Sequence, residues 1–167
     1  RPGQFIATLR VTDLGGATST LELPVAVEED LCPAFAGGEI LGSLEAGALT
    51  ETSGLAASRA HPGVLWAHND SGDSARVFAL STAGRHLGAY TLAGTEAIDW
   101  EDIAVGPGRA DGSFDLWIGD IGDNGRSREF VVVYRAAEPQ VSLEQSSETR
   151  TIDDVERIEL VYPDGSH

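Results

Sequence analysis

Two short motifs, DWEDIA at residues 99–104 and LWIGDIGDN at residues 116–124, hold the side chains best suited to chemistry in this chain. Acidic residues in both motifs stand beside apolar runs that are typical of buried strands. Burial strengthens the interaction of such charges and makes an unpaired one costly. The motifs therefore predict a polar site at the ends of strands.

A weaker copy of this pattern lies about fifty residues upstream, where Glu51 precedes SGLAAS and Asn69-Asp70 follows GVLWAH. Carboxylate and amide oxygens without Cys, and with few His, are ligands for a hard cation such as Ca²⁺ rather than Zn²⁺. The alternatives are that some carboxylates are protonated or that all are simply solvated. The candidate calcium ligands are Glu51, Asn69, Asp70, Asp99 and Asp120.

Five further residues have candidate roles near these ligands. Glu101 or Asp102 could act as a general base, and Arg126 could hold an anionic group. Trp100 could stack on a ligand and His68 could contact one. The structural alternatives are a surface counter-ion for Arg126, packing for the tryptophan and a hydrogen-bonded core role for the histidine. By the same reasoning Asp123 and Asn124 are turn residues, and Asp73 and Asp111 are surface residues.

The charge balance excludes some partners. The formal net charge is −16, from 27 acidic and 11 basic residues, and such a surface repels nucleic acid and anionic membranes. It suits cation binding, extracellular solubility or simply a solvated acidic surface. No apolar run approaches a membrane span, and neither a phosphate-binding loop nor a G-x-S-x-G motif occurs. The single cysteine, Cys32, leaves the redox compartment open.

An internal repeat indicates how these residues are positioned. Leu65-Trp66 and Leu116-Trp117 are 51 residues apart, and Leu55 and Ile103 are 48 apart. Each unit predicts a short apolar strand, a Trp-containing strand, a turn rich in Asp, Asn and Gly, and an aromatic or Val-rich strand. Residues 88–92 and 157–163 supply the fourth strands.

Four short antiparallel strands in about fifty residues are typical of a β-propeller blade. A sandwich with a chance duplication is the alternative. Two blades cannot close a ring, so the propeller is expected to continue past His167. In an antiparallel pair the start of the first strand lies beside the end of the second, so the acidic residues should converge on one mouth of the central channel.

The N-terminal part has a different pattern. Residues 4–13 and 18–27 alternate apolar and polar side chains, which predicts two half-buried strands joined by a turn at residues 13–16. A charged linker with Pro33 follows, and the glycine-punctuated segment with Ile40, Leu44 and Leu49 predicts an edge strand. The predicted fold class is therefore all-β, with a hairpin at 1–29, a linker at 30–38 and the blades at 39–167.

Two resemblances add to this interpretation. The VTD-x-GG-x-T-x-T string resembles the closing hairpin of bacterial extracellular immunoglobulin-like repeats of the PKD and cadherin-like class, which implies that fold for residues 1–29 but no calcium site. The set ETSGLAAS, HNDSG, DWEDIA, DIGDN and YPDG resembles a family of secreted bacterial propeller domains.

More distantly, Glu51, Asn69 and Asp120 are similar in placement to the ligands of the gluconolactonase and paraoxonase calcium propellers, where the ion polarises an ester or lactone carbonyl. This chain departs from that pattern through its added DWED cluster.

Two functions remain open at this point. The first is a secreted binding module in which calcium supports a channel mouth that binds a glycan, a small molecule or a surface protein. The second is a calcium-dependent hydrolase of a lactone, ester or phosphoester. Neither involves nucleic acid or membrane insertion.

Overall fold

The computed structural model describes residues 3–12, 18–27 and 37–162, in which β-strands alternate with loops and turns. These segments contain eleven strands and no helix, which confirms the predicted all-β class. No helix in them is long and apolar enough to cross a membrane. The strands are β1 (Gly3–Thr12), β2 (Thr18–Val27), β3 (Thr52–Ala57), β4 (Val64–Asn69), β5 (Arg76–Ser81), β6 (His86–Leu92), β7 (Trp100–Pro107), β8 (Phe114–Asp120), β9 (Val131–Ala137), β10 (Glu148–Ile152) and β11 (Val155–Leu160).

The chain divides into two compact units, residues 1–39 and residues 40–167. In the first unit β1 and β2 pair antiparallel in unbroken register, from Gly3 opposite Val27 to Thr12 opposite Thr18. This hairpin confirms the two predicted strands. The predicted turn at 13–16, Pro33 and Cys32 lie outside the described residues, and the immunoglobulin-like assignment stays a prediction.

The second unit holds two sheets. Sheet 1 has the strand order β10-β6-β5-β4-β3, and sheet 2 has the order β11-β9-β8-β7. Within each sheet the four strands of one sequence repeat form an antiparallel meander, as the repeat predicted. The two repeats also share a β-bulge near the start of their first strands, at Ser53 in β3 and at Glu101 in β7.

Two features of the second unit differ from the sequence prediction. Strand β10 pairs parallel with the edge of sheet 1, and it escaped prediction because its residues are mostly exposed and lack an apolar alternation. The predicted edge strand before residue 50 was wrong, since this segment forms no strand. Ile40 is 92% exposed and Leu44 58% exposed, whereas only Leu49 of the predicted apolar set is buried.

The principal core lies between the two sheets. Trp66 and its face of sheet 1 pack against Leu116 and Ile118 of sheet 2. The opposite face of sheet 1 is covered by Ala46 and Leu49 from the preceding segment. Side chains on alternate positions of one strand therefore pack in different cores, as the period of two residues requires.

A buried carboxylate links the two sheets. Glu138, 7% exposed, follows β9 of sheet 2 and accepts hydrogen bonds from Trp66 Nε1 at 2.8 Å and from the Ala60 backbone N–H at 3.2 Å. Both donors belong to the repeat that forms sheet 1. Glu138 thus ties the end of one sheet to the neighbouring sheet.

Glu138→Ala is expected to lower the free energy of unfolding by about 2–4 kcal/mol, because two donors lose their acceptor. Urea denaturation monitored by tryptophan fluorescence measures this loss. Glu129→Ala is the matched control at an exposed position. Equal stability of the two variants would show that the link contributes nothing.

Candidate cation site

The candidate site forms where the first strand of each sheet begins beside the end of the second. Thr52 at the start of β3 lies opposite Asn69 at the end of β4. Trp100 at the start of β7 lies opposite Asp120 at the end of β8. The antiparallel pairing therefore brings the polar strand ends together in each sheet, as predicted from the repeat.

Asn69 and Asp120 occupy equivalent positions, and each accepts a backbone N–H that precedes the first strand of its sheet. Asn69 Oδ1 accepts the backbone N–H of Glu51 at 3.0 Å, and Asp120 Oδ1 accepts the backbone N–H of Asp99 at 3.0 Å. Asp120 is fully buried and also accepts the N–H of Ile98. These two predicted metal ligands thus hold the backbone that carries the other acidic residues.

Asn69 and Asp120 are each supported by an Asp and an Arg that follow them in the chain. In sheet 1, Asp73 accepts bonds from Asn69 Nδ2 at 2.7 Å and from Arg76 Nε at 3.0 Å. Burial alone would raise the pKa of Asp73, but hydrogen bonds from Arg76, Asn69 and the Ser74 N–H outweigh it and hold the pKa below its ordinary value. Asp73 is thus half-buried at the surface and, beyond the surface position predicted for it, supports Asn69.

Sheet 2 has a related support. Arg128 Nη1 donates to Asp120 Oδ1 at 2.8 Å, and its backbone N–H donates to Asp123 Oδ2 at 2.9 Å. Asp123 also accepts the Ser127 N–H, which agrees with its predicted role as a turn residue. An Asp followed by an Arg after the turn is common to both repeats, and this is the signal that could have identified Asp73 from the sequence.

The bulge in β7 separates the two predicted catalytic carboxylates. The register passes from Trp100 to Asp102 with Glu101 as the extra residue. Glu101 is half-buried at the strand ends, whereas Asp102 is exposed and accepts the N–H of Ile103. Asp102 lines a separate shallow cavity with Trp117, so only Glu101 joins the acidic residues.

Three half-buried carboxylates converge into what we name the acidic cluster, formed by Asp70, Asp99 and Glu101. One oxygen from each lies within 4.8 Å of the others. A Cβ built on Gly122 would overlap the Asp99 carboxylate and lie 2.6 Å from Glu101 Oε1. The carboxylates therefore pack directly against the Gly122 backbone, where no larger residue fits without moving them.

The electrostatics of the acidic cluster are repulsive. Burial raises the pKa of the Glu101 carboxyl above its ordinary value, and the neighbouring carboxylates of Asp70 and Asp99 raise it further, while His68 opposes the shift. None of the three forms an ion pair with another described residue. The cluster thus carries charge that the described arginines do not neutralise.

His68 lies buried beside this region. Its Nδ1 is 2.7 Å from the Asn69 carbonyl oxygen, so Nδ1 carries the hydrogen and donates. Its Nε2 is buried and has no hydrogen-bond partner among the described residues. A Cβ on Gly54 would overlap Nε2, so the glycine provides the space for the ring between the first strands.

The remaining predicted residues lie outside the cluster. Glu51 is exposed and lines a cavity of about 260 Å³. Trp100 is 1% exposed and donates from Nε1 to the Glu96 carbonyl, a packing position in the core. Arg126 is exposed, has a φ of 50° and forms no ion pair with another described residue. The cavity of about 260 Å³ beside Glu51 is lined by Ala48, Thr50, Glu51, Asn69, Ser71, Gly72, Asp73 and Arg76.

Comparisons with known protein families, with curated proteins and with solved structures found no match to this chain.

Asp73→Asn is expected to lower the free energy of unfolding by about 1 kcal/mol at pH 7, because the variant loses its charged bonds to Arg76. The folded-state pKa of Asp73 is depressed, so its contribution is complete above the unfolded value of about 4 and is lost as pH falls below it. The difference between the proteins should therefore shrink below pH 4. Denaturant titrations at several pH values test this, with exposed Asp111→Asn as the control.

Proposed function

We propose that this chain is part of an extracellular β-propeller that binds a divalent cation, calcium, through the acidic cluster at its channel mouth. The observation that carries the proposal is the convergence of Asp70, Asp99 and Glu101 within 4.8 Å. The Gly122 backbone, which packs against the Asp99 and Glu101 carboxylates, adds support for a built site.

The donor set fits calcium by its chemistry. Three carboxylates from two neighbouring sheets supply hard oxygen ligands, and Ca²⁺ completes its six to eight ligands with backbone oxygens and water. The ion would relieve the repulsion that raises the pKa of Glu101. Asn69 and Asp120 would contribute by fixing the backbone of Glu51 and Asp99.

The propeller assignment is supported by the repeated sheets. Their first strands, β3 and β7, are neighbours, and Ser53 Oγ donates to the Glu101 carbonyl at 3.2 Å between them. Ser53 and Glu101 are also the equivalent bulge residues of the two repeats. Sheets that adjoin through their first strands are typical of propeller blades around a channel.

The biological role proposed for this mouth is ligand binding. The cavity that contains Glu51 opens beside Asn69, next to Asp70 of the cluster, and is lined mainly by polar groups. Such a lining suits a hydroxyl-rich ligand such as a glycan, or a polar loop of a surface protein. The acidic charge of the chain agrees with a secreted protein and with the exclusion of nucleic acid.

Calcium is expected to bind with a dissociation constant of about 10⁻⁵–10⁻³ M and to raise Tm by about 5–10 °C at a hundredfold excess over that constant. Glu101→Gln should weaken binding at least about tenfold, because it removes a charged ligand. The same variant in chelator should be more stable than the natural protein at pH 7, by about 1–3 °C, because it relieves repulsion.

Glu101→Gln should be more stable in chelator because the folded state raises the pKa of Glu101. A carboxyl whose pKa is raised on folding costs stability as pH rises through its unfolded and folded values, and glutamine lacks this cost. Calorimetry and thermal scans measure both effects. A Glu101→Gln protein that binds calcium as tightly as the natural one would contradict the proposal.

A pair of glycine variants supplies the matched control. Gly122→Ala should weaken calcium binding, because its Cβ would displace Asp99 and Glu101. Gly125→Ala lies in the same loop and meets only Ser127 Oγ at 3.6 Å, so it should bind calcium normally. Equal affinities in the two variants would place the ion elsewhere.

The second candidate is a calcium-dependent hydrolase, favoured by the position of Glu101 within the acidic cluster, where its carboxylate would lie beside a bound ion. The ion would act as a Lewis acid on a lactone, ester or phosphoester, and Glu101 would accept a proton from water. Turnover of such a substrate in calcium, lost in Glu101→Gln and retained in Asp102→Asn, would establish this activity. No turnover with any of the three substrate classes would leave the binding role.

A further inference from the structure

We propose that the outer face of sheet 2, the face opposite sheet 1, is a docking surface for a further β-sheet of the same repeat. We name it the Trp117 face, formed by Trp117, Val133, Ile158 and Leu160. The docking sheet would contact the Trp117 face through aliphatic residues equivalent to Leu116 and Ile118, which pack against Trp66 in sheet 1. The inference rests on the blade repeat proposed above and does not require the cation.

The argument comes from the equivalence of the two sheets. In sheet 1 the face that carries Trp66 is covered by sheet 2. The strand registers place Trp117 at the position of Trp66, and the positions beside it correspond in the same way. The equivalent pairs are Trp66 and Trp117, Val77 and Val133, Tyr90 and Ile158, and Leu92 and Leu160.

Burial differs sharply between the two members of each pair. Leu92 is 2% exposed whereas Leu160 is 45% exposed. Trp66, Val77 and Tyr90 are at most 1% exposed, while their counterparts in sheet 2 are only half-buried. The Trp117 face thus has apolar residues like those of the Trp66 face. The Trp66 face is covered by a neighbouring sheet, whereas no sheet among the described residues covers the Trp117 face. Burying the apolar residues of the Trp117 face would be favourable in proportion to the apolar area covered.

The shape of the face supports an occupant. Two shallow cavities of about 180 and 280 Å³ share Ile121 and Val133. Exposed Val161 and Tyr162 lie at the rim of the larger one. The apolar surface is therefore continuous from the middle of β8 to the end of β11, where a neighbouring strand could insert side chains.

A hydrogen-bond donor adds specificity. Trp66 Nε1 donates to Glu138, which follows the third strand of the covering sheet. The equivalent Trp117 Nε1 has no hydrogen-bond partner among the described residues. The occupant should therefore carry a carboxylate or another acceptor at the position of Glu138.

One row of the face, formed by Trp117, Arg135 and Glu156 on β8, β9 and β11, differs from its counterpart and constrains the occupant. Arg135 stands where sheet 1 has Ala79, and it bonds to Asp115 at 2.7 Å while its guanidinium lies 4.7 Å from the Trp117 ring centre. The occupant must therefore leave room for this ion pair. The aliphatic contact is concentrated on Val133 and Leu160.

The experiment extends the chain with its own repeat. Residues 93–162 are appended after Leu160, which reproduces the connection that follows Leu92 in the first repeat. Val133→Cys in the first copy, with Cys32→Ser throughout, reports access to the face through its rate of thiol labelling. In chelator, we expect labelling at least about tenfold slower with the extension than without it.

The matched control carries Leu116→Asp and Ile118→Asp in the appended copy alone, and it should label as fast as the unextended protein. Equal rates with and without the natural extension, whether or not the appended copy folds, would overturn the proposal. If the unextended protein instead labels more slowly as its concentration rises and sediments as an oligomer, that result would overturn the proposal and assign the face to contact between copies of this chain. Because calcium is absent throughout, this result is independent of the cation site.

Discussion

The hydrogen bonds that two side-chain oxygens accept from the backbone preceding the first strand of each sheet determine the rest of the site. Asn69 and Asp120 each end a strand and hold the N–H of Glu51 and Asp99, respectively. Because the bond distances are the same, the two sheets begin their first strands with the same local geometry. Strand pairing thus places Asp99 beside the end of β8, whereas the approach of Asp70 to Asp99 and Glu101 comes from the contact between β3 and β7.

The bulges then decide which side chains enter the site. An ordinary strand would place Glu101 on one face and Asp102 on the other with the register unbroken. The extra residue at Glu101 keeps Ile103 in the core while Glu101 points to the strand ends. At the equivalent bulge in sheet 1 the residue is Ser53, whose hydroxyl bonds to the Glu101 carbonyl. The same backbone irregularity thus supplies a carboxylate in one sheet and a link to it in the other.

The sequence allowed the repeated meander to be predicted, because strand alternation and the Leu-Trp repeat are local patterns. It also allowed the meeting of Asp99 with Asp120 to be predicted, since antiparallel pairing fixes which strand ends adjoin. The meeting of Asp99 with Asp70 depends in addition on the contact between the first strands of the two sheets. Strand β10 could not be predicted, because its pairing with β6 depends on an available sheet edge rather than on its own residues. The roles of Glu138 and Gly122 depend on contacts between sheets, which a single sequence does not display.

The distribution of arginine leaves the acidic cluster without an ion-pair partner among the described residues. All eleven basic residues other than histidine are arginines, and seven of the nine whose side chains are described have an acceptor within hydrogen-bond distance. Arg128 donates from Nη1 to Asp120, and its buried Nη2 has no hydrogen-bond partner among the described residues. The bonds at Asn69 and Asp120 hold the backbone of Glu51 and Asp99, while the three carboxylates lie on half-buried side chains. A proton or, as we propose, a bound cation would relieve the repulsion that the proximity of the three carboxylates produces.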